Sequence, residues 1–341
     1  MKKIFFALAI GTAALVSIVS GQAQVSSGLL LGYKEGSSYK TLWIAPQNGK
    51  LRMLNQGENL LVPRKIGWWR VSSSKAAAQG GQSNQQFFFA APVGTPNLSK
   101  PAEFDADCQV DSSAALLWVH EKYLALEDSE SGYCKGAAHP YAVATLQVRD
   151  LDLLRKSGGS ANFTESGPNL MEITDLISSS AQAKFYQAGE TFHAALSLEN
   201  QGYYEKSPNV TNWAMIRKSG QWVLRGRLGY SYEAVRNACC IDFDSGITPP
   251  TSLVGHDTLA ISWKTLLAKN SKIIDAFSSP KNDLLYTLEK TQLTAYALQN
   301  GKLGAVLLKV PFKNQVAPVM IEWANAGSVA RWTQDLQKLL K

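Results

Sequence analysis

A mainly β fold of antiparallel hairpins and meanders, with about three helices, is what this sequence predicts. Asn-Gly turns stand between apolar runs at Asn48-Gly49 and Asn300-Gly301, and both lie in the same pentapeptide, QNGKL. Asn-Gly in that setting is the strongest short-range hairpin signal, because both central residues of a type I′ turn need positive φ. Apolar runs are short, rich in β-branched and aromatic residues, and bounded by Gly, Asn, Ser and Pro. An α+β two-domain arrangement and an irregular β-propeller are the alternatives. A propeller predicts a sequence period of about 40–50 residues, which is not visible.

The first 23 residues, MKKIFFALAIGTAALVSIVSGQA, carry two lysines, an apolar run and then small residues. This is the three-part pattern of a secretory signal peptide, with cleavage expected after Ala23. No cysteine follows the apolar run, so a lipid anchor is not expected. Cleavage leaves 318 of the 341 residues and takes the formal net charge from +7 to +5. Lysines and arginines are scattered, and the basic stripe that nucleic-acid binding requires is missing. No later segment reaches the ~18 uninterrupted apolar residues of a membrane span. The expected location is periplasmic or secreted.

From residue 24 to about 160 a β-rich domain is expected. TLWIAPQNGKLRML forms the first hairpin, and GWWRV at 67–71 a buried aromatic strand. Residues 72–86, SSSKAAAQGGQSNQQ, read as a long exposed loop. FFFAAPV restarts a buried strand, and AALLWVHEKYLALE (114–127) and YAVATLQVRDLDLL (141–154) read as strands. From 161 to 341 an α+β domain is expected. Residues 169–187 have Leu170, Ile173, Leu176 and Ile177 at helical spacing, and 212–228 form a hairpin about Lys218-Ser219-Gly220. Residues 283–310 form a meander through the second Asn-Gly turn. The chain ends in an amphipathic helix over 328–341, capped by Ser328, with Val329, Trp332, Leu336, Leu339 and Leu340 on one face.

Four cysteines, Cys108, Cys134, Cys239 and Cys240, remain after export, and an even count in an exported chain argues for disulfides. Pairing Cys108 with Cys134 closes a loop of roughly 25 residues, worth about 3 kcal/mol in the loop-entropy model. Cys239 and Cys240 would then form a vicinal pair. Crossed pairing, each joined to Cys108 or Cys134, is the alternative.

Signatures of common catalytic sites are missing: no GxSxG, HExxH, Walker loop or GxGxxG. Ser-x-x-Lys at Ser37–Lys40 and Ser72–Lys75 lies in turn-like sequence without its companion motifs. The four histidines are His120, His139, His193 and His256, and His139 and His256 are the candidates for an acid–base role. His139 sits in GYCKGAAHP (132–140), where glycines and Pro140 suit a structural turn. Asp242 and Asp244, close in sequence to His256 and Asp257, are candidate oxygen ligands for Ca²⁺, but the third ligand position and downstream Glu of the EF-hand are absent. No cofactor is expected. Trp68, Trp69, Tyr203 and Tyr204, with Tyr230 and Tyr232 as further flat rings, are the candidate binding residues. On a strand one of two adjacent tryptophans faces outward.

The stretch EKYLALEDSESGYCKGAAHPYAVATLQVRDLDLL resembles the extracytoplasmic domain of lysozyme-sensing anti-sigma factors and peptidoglycan-deacetylase-associated proteins. Tyr123, Leu124 and Leu126 match that domain's strand. Gly136, Ala138, His139 and Pro140 match its turn, with Ala137 inserted and Lys135 in place of a glycine. NLMEITDLI matches the strand and helix that follow. The resemblance covers about residues 115–178. It implies an envelope protein that binds a cell-wall hydrolase or a glycan, with a structural His-Pro turn. The expected function is therefore a non-enzymatic exported protein that binds another protein, such as a cell-wall hydrolase or toxin, as inhibitor, sensor or immunity factor. Alternatives are a peptidoglycan- or glycan-binding accessory protein and an envelope hydrolase.

Overall fold

The computed structural model describes residues 25–77, 84–95, 108–135, 141–152, 170–230 and 240–340. Among the described residues strands predominate and lie in four sheets. β1 (Gly28–Glu35), β2 (Ser38–Gln47) and β3 (Lys50–Glu58) form a meander to which β17 (Val316–Ala324) adds beside β1. β4 (Leu60–Arg64), β5 (Gly67–Ala77), β6 (Asn84–Pro92), β7 (Cys108–Val119), β8 (Tyr123–Cys134) and β9 (Tyr141–Asp150) form a six-stranded sheet in sequence order. β10 (Trp213–Lys218), β11 (Gln221–Gly229) and β12 (Cys240–Asp244) form the third. β13 (Asp275–Ser278), β14 (Leu284–Glu289), β15 (Gln292–Gln299) and β16 (Lys302–Pro311) form the fourth. Pairing is antiparallel except between β6 and β7, which meet in parallel at Asn84 and Asp111.

Turn chemistry explains the hairpins. Asn48 and Gly49 have φ of 51° and 73°, and Asn300 and Gly301 have 52° and 70°. Ser219 and Gly220 do the same work between β10 and β11, at 52° and 80°. Each pair has the two positive φ values of a type I′ turn, whose twist matches that of the flanking strands.

The run Leu29-Leu30-Leu31 follows from the place of β1 between β17 and β2. Leu30 enters a core with Trp43, Trp69, Phe88 and Met320, whereas Leu29 and Leu31 enter another with Leu42, Tyr286 and Leu293. Alternate residues point to opposite faces, and here both faces are buried. In β7 the register slips between Leu116 and Trp118. That extra residue sends Leu116 into the first core and Trp118, of equal parity, into a third core with Trp213, Phe185 and Phe243. The β1–β17 pairing sets Gly28 opposite Ala324, so strands from the two ends of the described chain share one sheet.

Helices are α1 (Ile173–Leu176), α2 (Ser179–Ala194), α3 (Leu198–Gln201), α4 (Trp263–Lys269) and α5 (Ala326–Leu339) among the described residues. The helix expected over 169–187 is broken at Ile177-Ser178, where Ser178 caps α2 by accepting from the Ala181 N–H. Asn325, not Ser328, caps α5; the Ser328 N–H is the donor. The expected loop 72–86 is largely strand, since β5 continues to Ala77 and pairs with β6 from Asn84; residues 78–83 lie outside the described residues. Low-propensity Ser and Ala are held there by the partner strand. Among the described residues no helix is long and apolar enough to cross a membrane. The expected leader, residues 1–23, lies outside them.

Candidate functional site

The carboxylates proposed as metal ligands are occupied by arginine and lysine. Asp242 on β12 accepts from Arg227 Nε at 2.6 Å, and Arg227 Nη2 also donates to Glu127 on β8 at 2.6 Å. Asp244 pairs with Arg225 at 3.3 Å and with Lys218. Burial alone would raise the Asp244 carboxyl, but Lys218 and Arg225 bring it below the usual carboxylate range. Among the described residues no group of three or more His, Cys, Asp or Glu side chains is placed to hold a metal ion. Asp242 and Asp244 thus pair across strands of the third sheet, and Arg227 ties that sheet to β8 through Glu127.

His256 does not assemble with those aspartates either. Its neighbour Asp257 pairs with Arg217 at 2.7 Å and accepts the Trp222 N–H, while burial holds its carboxyl above the usual range. His256 lines a separate cavity of about 450 Å³ with Gln221, Thr248 and Thr251, and its Nε2 is buried without a hydrogen-bond partner among the described residues. His193 contacts the Gln201 carbonyl at 3.0 Å, beyond the end of α2. His120 stacks on Trp118 with rings 3° from parallel, and burial keeps it below its ordinary pKa, hence neutral. His139 and Cys239 lie outside the described residues.

Both candidate tryptophans pack against neighbouring elements. Trp69 is buried in the first core under Arg64, whose guanidinium lies 4.2 Å from the ring centre. Trp68 is half-buried and packs against the same core, beside α5. Its Nε1 donates to Asp335 at 3.0 Å and its ring meets Trp332 edge-on at 5.5 Å.

Tyr203 and Tyr204 do converge, on Tyr230. Tyr203 stacks on Tyr230 at 5.8 Å and Tyr204 meets it edge-on at 5.5 Å, with Tyr204 and Tyr230 bridged through the backbone. Tyr230 lines a cleft of about 420 Å³ whose other walls are β9 and the segment 205–212. Glu205 is held there by its N–H, which donates to the Gly229 carbonyl at 2.9 Å. Its carboxylate lies over Gly229, where an added Cβ would meet Oε2 at 2.9 Å.

The floor of the cleft is a sheet edge. β9 is the last strand of the six, and along it alternate residues turn N–H and C=O away from β8. At the C-terminal end these groups are used: the Met171 N–H donates to the Val148 carbonyl at 2.9 Å, and Leu170 bridges Arg149. The Leu146 N–H donates to Asn212 Oδ1 at 2.8 Å. The same alternation turns the N–H and C=O of Ala142 and Ala144 outward into the cleft, without a partner among the described residues. Sequence reasoning placed a strand here but missed the edge, Glu205 and Asn212.

Register also places Cys108 directly opposite Cys134 at the end of the β7–β8 ladder; their side chains lie outside the described residues. Cys240 is disulfide-bonded.

No family model matches this chain, and no curated protein does. A solved structure of a DUF3298-family member from Bacteroides fragilis is similar over 58% of this chain and 94% of its own, at 10% identity and a TM-score of 0.32. Similarity of that degree assigns neither fold nor function.

Proposed function

We propose that this chain is an exported, non-enzymatic protein that binds another protein of the cell envelope, such as a cell-wall hydrolase or a toxin, as inhibitor, sensor or immunity factor. The cleft beside Tyr230 is its binding site. One observation supports this reading above others: the cleft gathers open main-chain groups, side-chain amides, an aromatic ring and one carboxylate. These are groups of recognition, and such a mixture suits a polypeptide partner. The aspartates that sequence proximity grouped with His256 are instead engaged by arginine and lysine.

The test is retention of purified lysozyme, and of other purified envelope hydrolases, by the mature chain at roughly micromolar concentration. Retention that is lost in Tyr230→Ala, with an unchanged melting curve, supports the reading. No retention of any of them, or equal retention by the variant, rejects it. Sedimentation of the chain with purified cell walls, without retention of any protein, would favour the glycan-binding alternative.

A further inference from the structure

We propose that the occupant of this cleft is an extended segment of the partner protein, which adds as a strand to β9 and sets a basic side chain against Glu205. This rests on the protein-binding reading above and specifies its mode.

The edge is already half used in this way. Leu170 and Met171 pair with Arg149 and Val148 as a short antiparallel strand would, and Asn212 Oδ1 stands where the next strand carbonyl would accept the Leu146 N–H. Beyond Leu146 the line of pairing groups continues through Ala144 and Ala142 with nothing against them among the described residues. An added strand lies ~4.8 Å from its neighbour and uses these groups at every second residue. Alanine methyls at both positions leave space for the side chains of the incoming strand. An α-helix, ~10 Å across, would leave the outward N–H and C=O groups unpaired, because its own are used internally.

Three other edge strands of this molecule, β4, β16 and β17, are guarded. Pro63 stands in β4, and Pro318 with a register slip stands at the β17 edge. β16 carries two register slips and Lys309. Proline, charge and bulges are the usual means by which edges avoid pairing. Residues Ala142–Thr145 have none of these. The selectivity comes from Glu205, the charged side chain in the lining, for which no cationic partner occurs among the described residues.

The experiment uses the mature chain and two blocked pentapeptides, Thr-Val-Lys-Val-Thr and Thr-Val-Glu-Val-Thr. The lysine peptide is expected to bind at least ~10-fold more tightly, and Glu205→Lys is expected to reverse the preference. N-methylation of one alternate set of peptide amides should abolish binding, while the other set is tolerated, because only one edge of the peptide pairs. Bound peptide should slow hydrogen exchange at the Ala142 and Ala144 amides. Ala144→Pro removes an outward N–H that the fold does not use, so its melting curve should stay put while affinity falls ~10-fold or more. Neither peptide binding up to roughly millimolar concentration, equal tolerance of both N-methylated sets, or unprotected Ala142 and Ala144 amides would each overturn strand addition. Retention of an envelope hydrolase that is lost in Tyr230→Ala but complete in Ala144→Pro rejects strand addition while leaving the cleft as the protein-binding site.

Discussion

Replacing Arg217 by methionine should cost about 3–5 kcal/mol of stability at pH 7.5. The guanidinium donates through Nε and Nη2 to Asp275 at 3.0 and 2.8 Å, through Nη1 to Asp257 at 2.7 Å, and to the Ala276 carbonyl at 2.9 Å. The Arg217 side chain is 7% exposed and that of Asp275 6%. These bonds hold β10 to β13 and to the segment before α4. Methionine keeps the aliphatic stem but loses the guanidinium, which lies 5.1 Å from the Trp222 ring centre, and strands two carboxylates, so the loss is that of one member of a buried network. A charge pair about 4 Å apart at an effective dielectric constant of 20 is worth about 4 kcal/mol, consistent with that range. Arg64–Asp152 has the same chemistry at 2.8 Å, but its carboxylate is 52% exposed. Removing that pair should cost only about 0–1 kcal/mol. Urea unfolding followed by tryptophan fluorescence compares Arg217→Met with Asp152→Asn, which removes the exposed pair and leaves Arg64 over Trp69. The penalty at Arg217 should shrink on acidification, as Asp257, already held high by burial, takes up a proton. A loss below about 1 kcal/mol at Arg217, or equal losses at both positions, would refute the argument.

Three other outcomes follow from the packing. Asp128 is 5% exposed and burial raises its pKa to about 7. The folded state therefore binds more protons than the unfolded state between about pH 4 and pH 7, and stability falls as pH rises through that window, by at most about 4 kcal/mol. Asp128→Asn should flatten this fall in urea melts at pH 4.5 and 8. Gly226→Ala would set a methyl 2.2 Å from the Phe243 ring and 2.7 Å from Phe185, so a loss of about 1–3 kcal/mol or more is expected in the same melts. Peptide mapping without reductant should recover a Cys108–Cys134 cross-link, and Cys108→Ser with Cys134→Ser should lower stability by about 2–4 kcal/mol.

Local chemistry was the legible part of the fold. Asn48-Gly49, Asn300-Gly301 and Ser219-Gly220 bend where their residue types require, because a type I′ turn is a property of two adjacent residues. Pairings of long sequence separation left no such trace. β1 with β17 joins the two ends of the described chain, and Arg227 reaches Glu127 across 100 positions while Asp242 is only 15 away. Nearness in sequence therefore grouped Asp242, Asp244 and Asp257 with His256, whereas charge pairing distributes the aspartates among arginines on other strands. The paired aromatics misled for a related reason. Adjacency in β5 does not say what packs on each ring: Trp69 lies in the first core, and Trp68 packs against that core beside α5.

The cleft shows how an edge can be partly visible in a sequence. Strand propensity in YAVATLQV predicts β9, yet edge status is set by strand order in the sheet, which no local pattern encodes. What the sequence does carry is the absence of protection: over Ala142–Thr145 it has no charge and no proline, with small or β-branched side chains throughout. In the middle of a sheet that composition would be ordinary. On an edge it leaves paired outward N–H and C=O groups that water must satisfy, and selection against unwanted pairing normally places a lysine, a proline or a bulge there. β4, β16 and β17 of this same chain carry such devices. The contrast within one molecule, rather than the cleft's size, makes β9 the edge at which strand addition is to be sought.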